Sequence, residues 1–352
     1  MKKYFCMMLL MAVVLSSCKT QQSSQVLQIA EQGSFAVGGT VLTDSMGRHY
    51  HGDHAYVYYQ KPVHPRRYPL VFAHGLGQFS KTWETTPDGR EGFQTIFLRR
   101  GFTTYVADQP RRGNAAKSTQ GATLSPVFDE EKWFNRFRVG IYPNYFEGVQ
   151  FSHDKEALNQ YFRQMTPTVG PLDFEVYSDA YAALFREIGP AIFVTHSQGG
   201  PVGWRTLLKS NNVKAIVAYE PGGSVPFPEG KVPEEGSAVN QSGKTEGIEV
   251  SMYDFMKYTR VPIIIYYGDN LPETEEHPEL YEWTRRLHLM RKWARMLNDL
   301  GGDVTVVHLP EVGLKGNTHF PFSDLNNVEV ADLLSGWLHD KGLDGKHDVD
   351  LQ

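Results

Sequence analysis

The stretch Ala191-Ile-Phe-Val-Thr-His-Ser-Gln-Gly-Gly200 decides how the rest of the chain is interpreted. Its apolar half is typical of a buried strand, and a helix-like run from 202 to 209 follows the turn. A strand, a tight turn and a helix in this order hold a serine in a strained conformation at the top of a sheet. The residues two before and two after that serine must be small: Gly199 meets this condition, whereas Thr195 replaces the more usual glycine. We therefore predict Ser197 to be a nucleophile; the alternative is a buried strand that ends in an ordinary turn.

The N-terminus has the anatomy of an export signal. Lys2 and Lys3 precede an apolar run from 5 to 15, which is too short to span a bilayer comfortably. This run ends at Leu15-Ser-Ser-Cys18, which resembles the lipobox of bacterial lipoproteins. We predict a signal peptide over 1–17, lipidation at Cys18, a tether over 18–33, one domain over 34–340 and a tail over 341–352. The alternative is an ordinary secretory signal with a chance cysteine.

Composition narrows the classes of function. The chain has 2 cysteines, and Cys6 lies in the segment that would be removed, so we expect no disulfide in the exported protein. The formal net charge of −5 gives no sign of a nucleic-acid partner. We expect export, membrane attachment through the lipid on Cys18, and a small-molecule substrate. The oligomeric state stays open.

Strand-like and helix-like segments alternate along the chain, which predicts an α/β fold with a mostly parallel sheet flanked by helices. The first two strands, 35–42 and 55–60, are predicted to form an antiparallel hairpin. A segment rich in Gly, Pro, Ser and Glu over 224–250 is interpreted as a mobile loop. The remaining predicted strands lie at 68–74, 102–108, 191–196, 213–220, 261–267 and 304–309, and the main helices at 93–100, 178–188, 202–209, 281–300 and 328–338.

The segment from about 119 to 173 lacks clean periodicity and is rich in aromatic residues. We interpret it as a cap inserted into the sheet domain. Its aromatic side chains are candidates for lining a substrate pocket, although simple packing of the cap explains any single one equally well. They are Phe128, Trp133, Phe134, Phe137, Tyr142, Tyr145, Phe146, Phe151, Tyr161 and Phe162.

The other candidate site residues follow predicted strands. The glycine-rich turn after His74 suggests the backbone N–H of Leu76 as one donor to a developing oxyanion, and the N–H of Gln198 as the second. We assign the side chain of His74 only a structural role. His319 follows the last strand and supplies the imidazole that a serine nucleophile requires.

Two carboxylates can orient that imidazole, Glu220 and Asp269, because both stand at strand ends. The commoner position for such an acid favours the region of Asp269. We favour Glu220, since its longer side chain can cross from the neighbouring strand end and Pro221-Gly222 fix its direction. The alternative is that Glu220 meets solvent or an arginine such as Arg111.

Five motifs together resemble a small branch of bacterial α/β-hydrolase esterases, over about 38 to 338. They are Trp83-Glu-Thr-Thr-Pro-Asp-Gly-Arg90, Asp108-Gln-Pro-Arg-Arg-Gly113, His196-Ser-Gln198, Glu220-Pro-Gly222 and Gly316-Asn-Thr-His319. The resemblance implies the α/β-hydrolase fold and a Ser197-Glu220-His319 triad that hydrolyses carboxylic esters without a metal or organic cofactor. Some relatives carry cysteines after the His-Gly turn, where this chain has Leu76-Gly77.

Because a fold does not dictate a substrate, other functions stay open. A lipase, a lactonase or a peptidase would use the same three residues. A catalytically silent surface lipoprotein that only binds a ligand is the alternative from a different class.

Overall fold

The computed structural model describes residues 26–237, 239, 243 and 245–346. The predicted signal peptide, Cys6, Cys18 and the end of the tail lie outside the described residues. One eight-stranded sheet organises the chain, in the order β1-β2-β4-β3-β7-β8-β11-β12. Its strands are β1 (Ile29–Thr43), β2 (His49–Pro62), β3 (Leu70–Ala73), β4 (Thr104–Asp108), β7 (Ala191–His196), β8 (Val213–Tyr219), β11 (Ile263–Tyr267) and β12 (Val304–His308).

The predicted mostly parallel sheet is confirmed. The six strands from β4 to β12 pair in parallel, whereas β1 and β2 form an antiparallel hairpin at one edge. All residues of β3, β7 and β11 are buried, as expected for parallel strands covered on both faces. The carboxyl ends of β7, β8, β11 and β12 therefore meet at one edge, which is where the predicted site residues follow.

Helices cover both faces of the sheet, and each face has its own apolar core. On one face pack α5 (Phe174–Ile188), α6 (Gly199–Lys209) and α9 (Pro278–Asp299). On the other pack α2 (Phe93–Arg99) and α10 (Asn327–Asp340), together with aromatic residues of the inserted segment. The remaining short elements are α1 (Lys81–Glu84), α3 (Glu130–Arg136), β5 (Gly140–Ile141), β6 (Asn144–Tyr145), α4 (Lys155–Arg163), β9 (Val225–Pro228), α7 (Glu234–Ser237), β10 (Gly247–Val250) and α8 (Met252–Phe255).

The inserted segment lies between β4 and α5. It contains α3, the small β5–β6 pair and α4, and Asp173 ends it by capping α5 through hydrogen bonds to the N–H groups of Glu175 and Val176. Both ends of the segment are tied to one buried ion pair. Arg111 donates to the Asp53 carboxylate at 2.7 and 2.9 Å and to the carbonyl of Pro171, while Thr119 also donates to Asp53.

Three boundaries differ from the sequence-based expectations. Strand β1 begins at Ile29, so residues 29–33, which we assigned to the tether, belong to the sheet. Residues 224–250 were expected to form a loop, yet β9 and β10 pair in parallel there. The predicted tail begins inside the fold, because Leu343 is buried and the backbone of Lys346 forms an antiparallel β-bridge with that of Arg66. Among the described residues, no helix combines the length and apolar character that crossing a membrane requires.

Candidate active site

Ser197 lies in the turn between β7 and α6 with a left-handed backbone, φ +51°. This conformation costs a non-glycine residue on the order of 1–3 kcal/mol and recurs at functional sites. The turn is held by backbone hydrogen bonds. The Ser197 N–H donates to the Tyr219 carbonyl, and the Ser197 carbonyl accepts from the N–H groups of Gly200 and Gly222. The sequence-predicted strand–turn–helix geometry is therefore present.

The chain is packed so closely around Ser197 that a side chain at Gly75 or Gly199 would clash with its surroundings. A Cβ on Gly75 would lie 2.8 Å from the Ser197 Cβ, and a Cβ on Gly199 would lie 2.9 Å from the Ala73 carbonyl oxygen. Thr195 fits where glycine is more usual because Gly203, on the second turn of α6, faces it. A Cβ there would come within 3.0 Å of the Thr195 methyl group. The sequence analysis missed this compensation, although Gly203 was visible.

Glu220 and His319 are in contact beneath the turn between β7 and α6 that carries Ser197. The Glu220 Oε2 lies 3.3 Å from His319 Nδ1, and both side chains are fully buried. Glu220 also has a left-handed backbone, φ +50°. Its Oε1 accepts from the N–H of Gly268 and from Arg138, a buried arginine of the inserted segment. The arginine that pairs with Glu220 is thus Arg138 and not Arg111, whose partner is Asp53.

Asp269 makes different contacts. Its carboxylate accepts from the N–H of Gly316 at 2.7 Å and from its neighbour Asn270 at 2.7 Å. It therefore supports the loop that leads to His319 without contacting the imidazole. This geometry favours Glu220 over Asp269 as the acid.

The imidazole of His319 is enclosed by aromatic rings. Phe137 stacks on it at 4.7 Å between centroids, and Trp283 lies 4.1 Å away. Its Nε2 is buried and has no hydrogen-bond partner among the described residues, so Ser197 and His319 are not joined by a hydrogen bond here. Catalytic hydrogen bonds are often long or unformed before substrate binds. Nε2 is thus the nitrogen that remains available to accept a proton.

Three arginines influence the charge of His319. Burial, followed by the positive charges of Arg138, Arg286 and Arg136, lowers its pKa well below the ordinary value. The Glu220 carboxylate, which contacts Nδ1, also accepts from Arg138. The imidazole is therefore neutral at neutral pH, which is the form that a general base needs.

A cavity of about 160 Å³ opens on Ser197. Leu76 and Gln198, whose N–H groups were the predicted oxyanion donors, line it together with Ser197. Trp283 and Arg286 of α9 line it too, and neither was found by the sequence analysis because nothing in a helical pattern marks which buried residues border a cavity. Arg286 is paired with Glu246 and Glu282.

Only a few cap aromatics border a cavity. Trp133 and Phe137 line the cavity at Ser197 and also a second cavity of about 480 Å³, which Phe162 borders too. Phe134 and Tyr161 are packed in the core, whereas Phe128 is 98% exposed. Of the ten, Trp133 and Phe137 therefore border the cavity at Ser197, whereas Phe151 lines a separate small cavity with Asp88 and Arg90.

His74 makes structural contacts, as expected from the sequence. Its Nε2 accepts from the N–H of Gln109 at 3.1 Å, and its Nδ1 donates to the Gly75 carbonyl at 3.0 Å. Burial, followed by the positive charge of Arg112, lowers its pKa to about 4, so the ring is neutral. It props the turn that carries Leu76.

The motif at 83–90 supports the loop after His319. Arg90 donates to Asn327 Oδ1 at 2.7 Å and to the carbonyls of Asp324, Ser323 and Leu325. Asp324 in turn accepts from the N–H and hydroxyl of Thr318, next to His319. The motif therefore acts on the site through the loop that positions the imidazole.

Comparison with known proteins agrees with this architecture. A sequence profile described as the alpha/beta hydrolase family matches residues 70–311. The chain belongs to the α/β-hydrolase family. The predicted membership of the α/β-hydrolase superfamily is thus confirmed, and so is the fold that it implied.

Two relatives are similar over most of this α/β-hydrolase. A probable secreted lipase, phiG, from Fungal sp. (strain ATCC 74256) is 31% identical over 307 residues, which cover 79% of this chain and 83% of the relative. A solved structure titled as a novel bacterial esterase is 29% identical and superposes with a TM-score of 0.74, covering 90% of this chain and 98% of that one. The chain is a hydrolase.

Proposed function

We propose that this chain hydrolyses carboxylic esters through an acyl-enzyme on Ser197, with His319 as general base and Glu220 as the carboxylate that orients it. The observation that carries the proposal is the buried 3.3 Å contact between Glu220 and His319 Nδ1, beneath a serine that lines a cavity. With Nδ1–H held by the carboxylate, the neutral ring presents the lone pair of Nε2. The names of the two relatives, a lipase and an esterase, support an ester as substrate.

The proposed reaction uses the same residues twice. Ser197 Oγ attacks the ester carbonyl carbon while its proton moves to His319 Nε2, and the carbonyl oxygen becomes an oxyanion that accepts from the N–H groups of Leu76 and Gln198. The C–O bond to the alcohol then breaks, and the alcohol leaves with the proton from Nε2. Water repeats the sequence on the acyl-enzyme, which releases the acid and restores Ser197.

The cavity supports a small acyl group. Its volume of about 160 Å³ and its apolar walls of Leu76, Phe137 and Trp283 match a short, uncharged chain better than a long lipid chain. The adjoining cavity of about 480 Å³ lies beyond Leu76, Trp133 and Phe137, which border both. We propose that these three side chains limit acyl length.

We also propose that the enzyme is exported and anchored through lipid on Cys18. The support is the lipobox-like Leu15-Ser-Ser-Cys18 after an apolar run, together with a relative named as secreted.

The decisive experiment combines covalent labelling with turnover. The wild type should react with a fluorophosphonate probe and hydrolyse p-nitrophenyl butyrate, whereas Ser197→Ala should do neither while keeping its circular dichroism spectrum. A folded wild type that is neither labelled nor active would favour a silent binding scaffold. Hydrolysis of a matched amide or lactone at a higher kcat/KM than the ester would move the substrate class while keeping the triad.

A further inference from the structure

The peptide between Gly75 and Leu76 is held from its carbonyl side. The Gly75 oxygen accepts from Arg112 Nη1 at 2.8 Å, from His74 Nδ1 at 3.0 Å and from the N–H of Gln78 at 3.3 Å. In a trans peptide the C=O and N–H point in opposite directions. Donors that fix the Gly75 carbonyl therefore also fix the direction of the Leu76 N–H, and they polarise it toward stronger donation.

Arg112 is an unusual donor for this task. Its side chain is fully buried, and it forms no ion pair within 4.0 Å in the described part of the chain. Its other hydrogen bonds go to neutral oxygens, Gln198 Oε1 at 3.2 Å and the hydroxyl of Thr168 at 3.1 Å. A buried charge without a counter-ion is costly and needs an explanation.

The neighbouring Arg111 shows what an ordinary arrangement looks like. It is equally buried, yet it forms a two-point ion pair with Asp53. The nearest acid to Arg112 in sequence, Asp108, is occupied by the N–H groups of Ser80 and Asn114. The charge of Asp108 acts on Arg112 without contact, so no carboxylate in the described part of the chain pairs with this guanidinium.

We propose that Arg112 is a positioning residue for the oxyanion hole: it orients and polarises the Leu76 N–H, and its buried positive charge is balanced when the oxyanion forms. This inference rests on the proposed esterase function. The same Nη1 also donates to the side-chain Oε1 of Gln198, the residue whose backbone N–H is the second proposed donor. A preorganised charge of this kind lowers the barrier because it needs no rearrangement as the oxyanion develops.

The rest of the motif at 108–113 holds Arg112 and the same turn. Gln109 bonds the turn from two sides, through its N–H to His74 Nε2 and through its side-chain amide to the His74 carbonyl at 2.6 Å. Gly113 has φ +53°, and a Cβ there would lie 2.5 Å from Asp108 Oδ2. The motif thus has a physical role that neither the triad nor the fold alone requires.

The test separates transition-state from ground-state binding. Arg112→Gln and Arg112→Lys are compared with wild type for hydrolysis of p-nitrophenyl butyrate and for inhibition by a trifluoromethyl ketone, which adds Ser197 to form an oxyanion, and by the matched methyl ketone. Losing one oxyanion donor costs roughly 10²–10³-fold in kcat, and an indirect support should cost about 10- to 100-fold. We expect Arg112→Gln to lower kcat and trifluoromethyl ketone affinity in parallel by that factor, with KM and methyl ketone affinity nearly unchanged and Arg112→Lys intermediate.

Arg100→Gln serves as the control for lost stability, because the Arg100 side chain donates hydrogen bonds to Ala331, Ser335 and Asp332 of helix α10, away from the active site. It should lower the melting temperature without changing the ratio of the two inhibitor affinities. Wild-type kcat in either Arg112 variant, or an equal loss of both inhibitor affinities, overturns the inference while leaving the esterase proposal intact. If Arg112→Gln does not fold, Arg112→Lys decides alone. A wild type without activity contradicts both.

Discussion

At the scale of single residues, the proposal that Glu220 and not Asp269 orients His319 is the easiest to contradict by experiment. Glu220 contacts His319 Nδ1, whereas Asp269 accepts from the backbone N–H groups of Asn270 and of Gly316, in the loop that leads to His319. Removing the charge that orients a triad histidine costs about 10⁴-fold in kcat. We expect Glu220→Gln to lose activity on that order while folding normally, and Asp269→Asn to lose far less. Steady-state kinetics on p-nitrophenyl butyrate compare the two, and the reverse ranking would make Asp269 the acid.

The pH dependence of the reaction follows from the arginines around His319. Since burial and the charges of Arg138, Arg286 and Arg136 lower its pKa, the acidic limb of kcat/KM should lie below pH 6.5, about the value of a free histidine. Arg138→Gln removes one positive charge and frees Glu220, and both changes favour the imidazolium. We therefore expect that variant to move the limb to higher pH.

The control is Arg163→Gln, because Arg163 is exposed on α4 and pairs with the exposed Glu156 of the same helix. It should leave the pH profile unchanged. A wild-type limb above 6.5, or a downward shift in Arg138→Gln, would contradict the assigned electrostatics.

Residues that follow strands could be predicted from the sequence, and residues that approach from elsewhere could not. Ser197 directly follows β7 and His319 lies in the loop after β12, and the sequence pattern predicts both strands, so a parallel sheet brings the two residues to the same side. Arg138 reaches Glu220 from an insertion without periodicity, and its role depends on tertiary contacts alone. The sequence shows only that Thr195 replaces the usual glycine. The space that Gly203 leaves for the Thr195 side chain depends on how α6 packs against β7, which the sequence does not show.

At the scale of elements, the two ends of the inserted segment are tied to one buried ion pair. Asp53 on β2 accepts from Arg111 and Thr119, and Arg111 also holds Pro171, so both ends of the segment depend on a single carboxylate. Although burial favours the protonated carboxyl, hydrogen bonds from Arg111 and Thr119 outweigh it and hold the pKa of Asp53 at about 2. Asp53→Asn should lower the free energy of unfolding by about 3–5 kcal/mol at pH 7, as expected when one partner of a buried pair is removed.

The stabilisation by the Asp53 carboxylate should change with pH in one direction only. Because the pKa of Asp53 is lower in the folded than in the unfolded chain, its stabilisation is present above about pH 4 and is lost as pH falls toward 2. Urea unfolding should show the gap between wild type and Asp53→Asn narrowing in acid. Asp44→Asn, in the exposed pair with Arg48, should change stability little at any pH. A gap that widens in acid would refute the linkage.

The same inserted segment offers a test of acyl selectivity. Trp133 stacks on Phe137 at 5.0 Å, donates to Asp129, and borders both cavities. Trp133→Ala should join the two spaces and shift the best p-nitrophenyl ester to a longer acyl chain. Phe128→Ala, which alters an aromatic residue that is 98% exposed, should leave the chain-length profile unchanged. Identical profiles for wild type and Trp133→Ala would exclude the partition.

The sequence predicted the strands and helices that have a clear hydrophobic pattern of their own. It did not predict the short strands that form only because they pair with each other. The buried strands of the parallel sheet and helix α9 have patterns that a local window contains. Strands β9 and β10 have four residues each and exist because they pair with one another across a segment rich in Gly and Pro. Such pairing depends on contacts distant in sequence, which composition cannot show.

At the scale of the whole molecule, the sheet determines which way the active site faces relative to the N-terminus. Ile29 pairs with Pro62 at the end of β2, and Gln60 on the same strand pairs with Thr104 at the start of β4. The described chain therefore begins at the edge of the sheet opposite the carboxyl ends of β7, β8 and β11, where the site lies. A lipid on Cys18 would attach the enzyme from the edge remote from Ser197.

This placement makes the anchoring proposal testable in two ways. Cys18→Ala should move the protein from the membrane fraction to the soluble fraction, or leave the precursor unprocessed. For processed protein, kcat/KM on a water-soluble ester should be the same for the membrane-bound wild type and the soluble variant, because the cavity opens away from the attachment edge. Cys6→Ala is the matched control, since Cys6 lies within the predicted signal peptide, and it should leave fractionation unchanged. Unaltered fractionation of Cys18→Ala would exclude that cysteine as the anchor. A large rise in kcat/KM on release would instead mean that the bilayer obstructs the cavity, which contradicts the orientation inferred from the strand register.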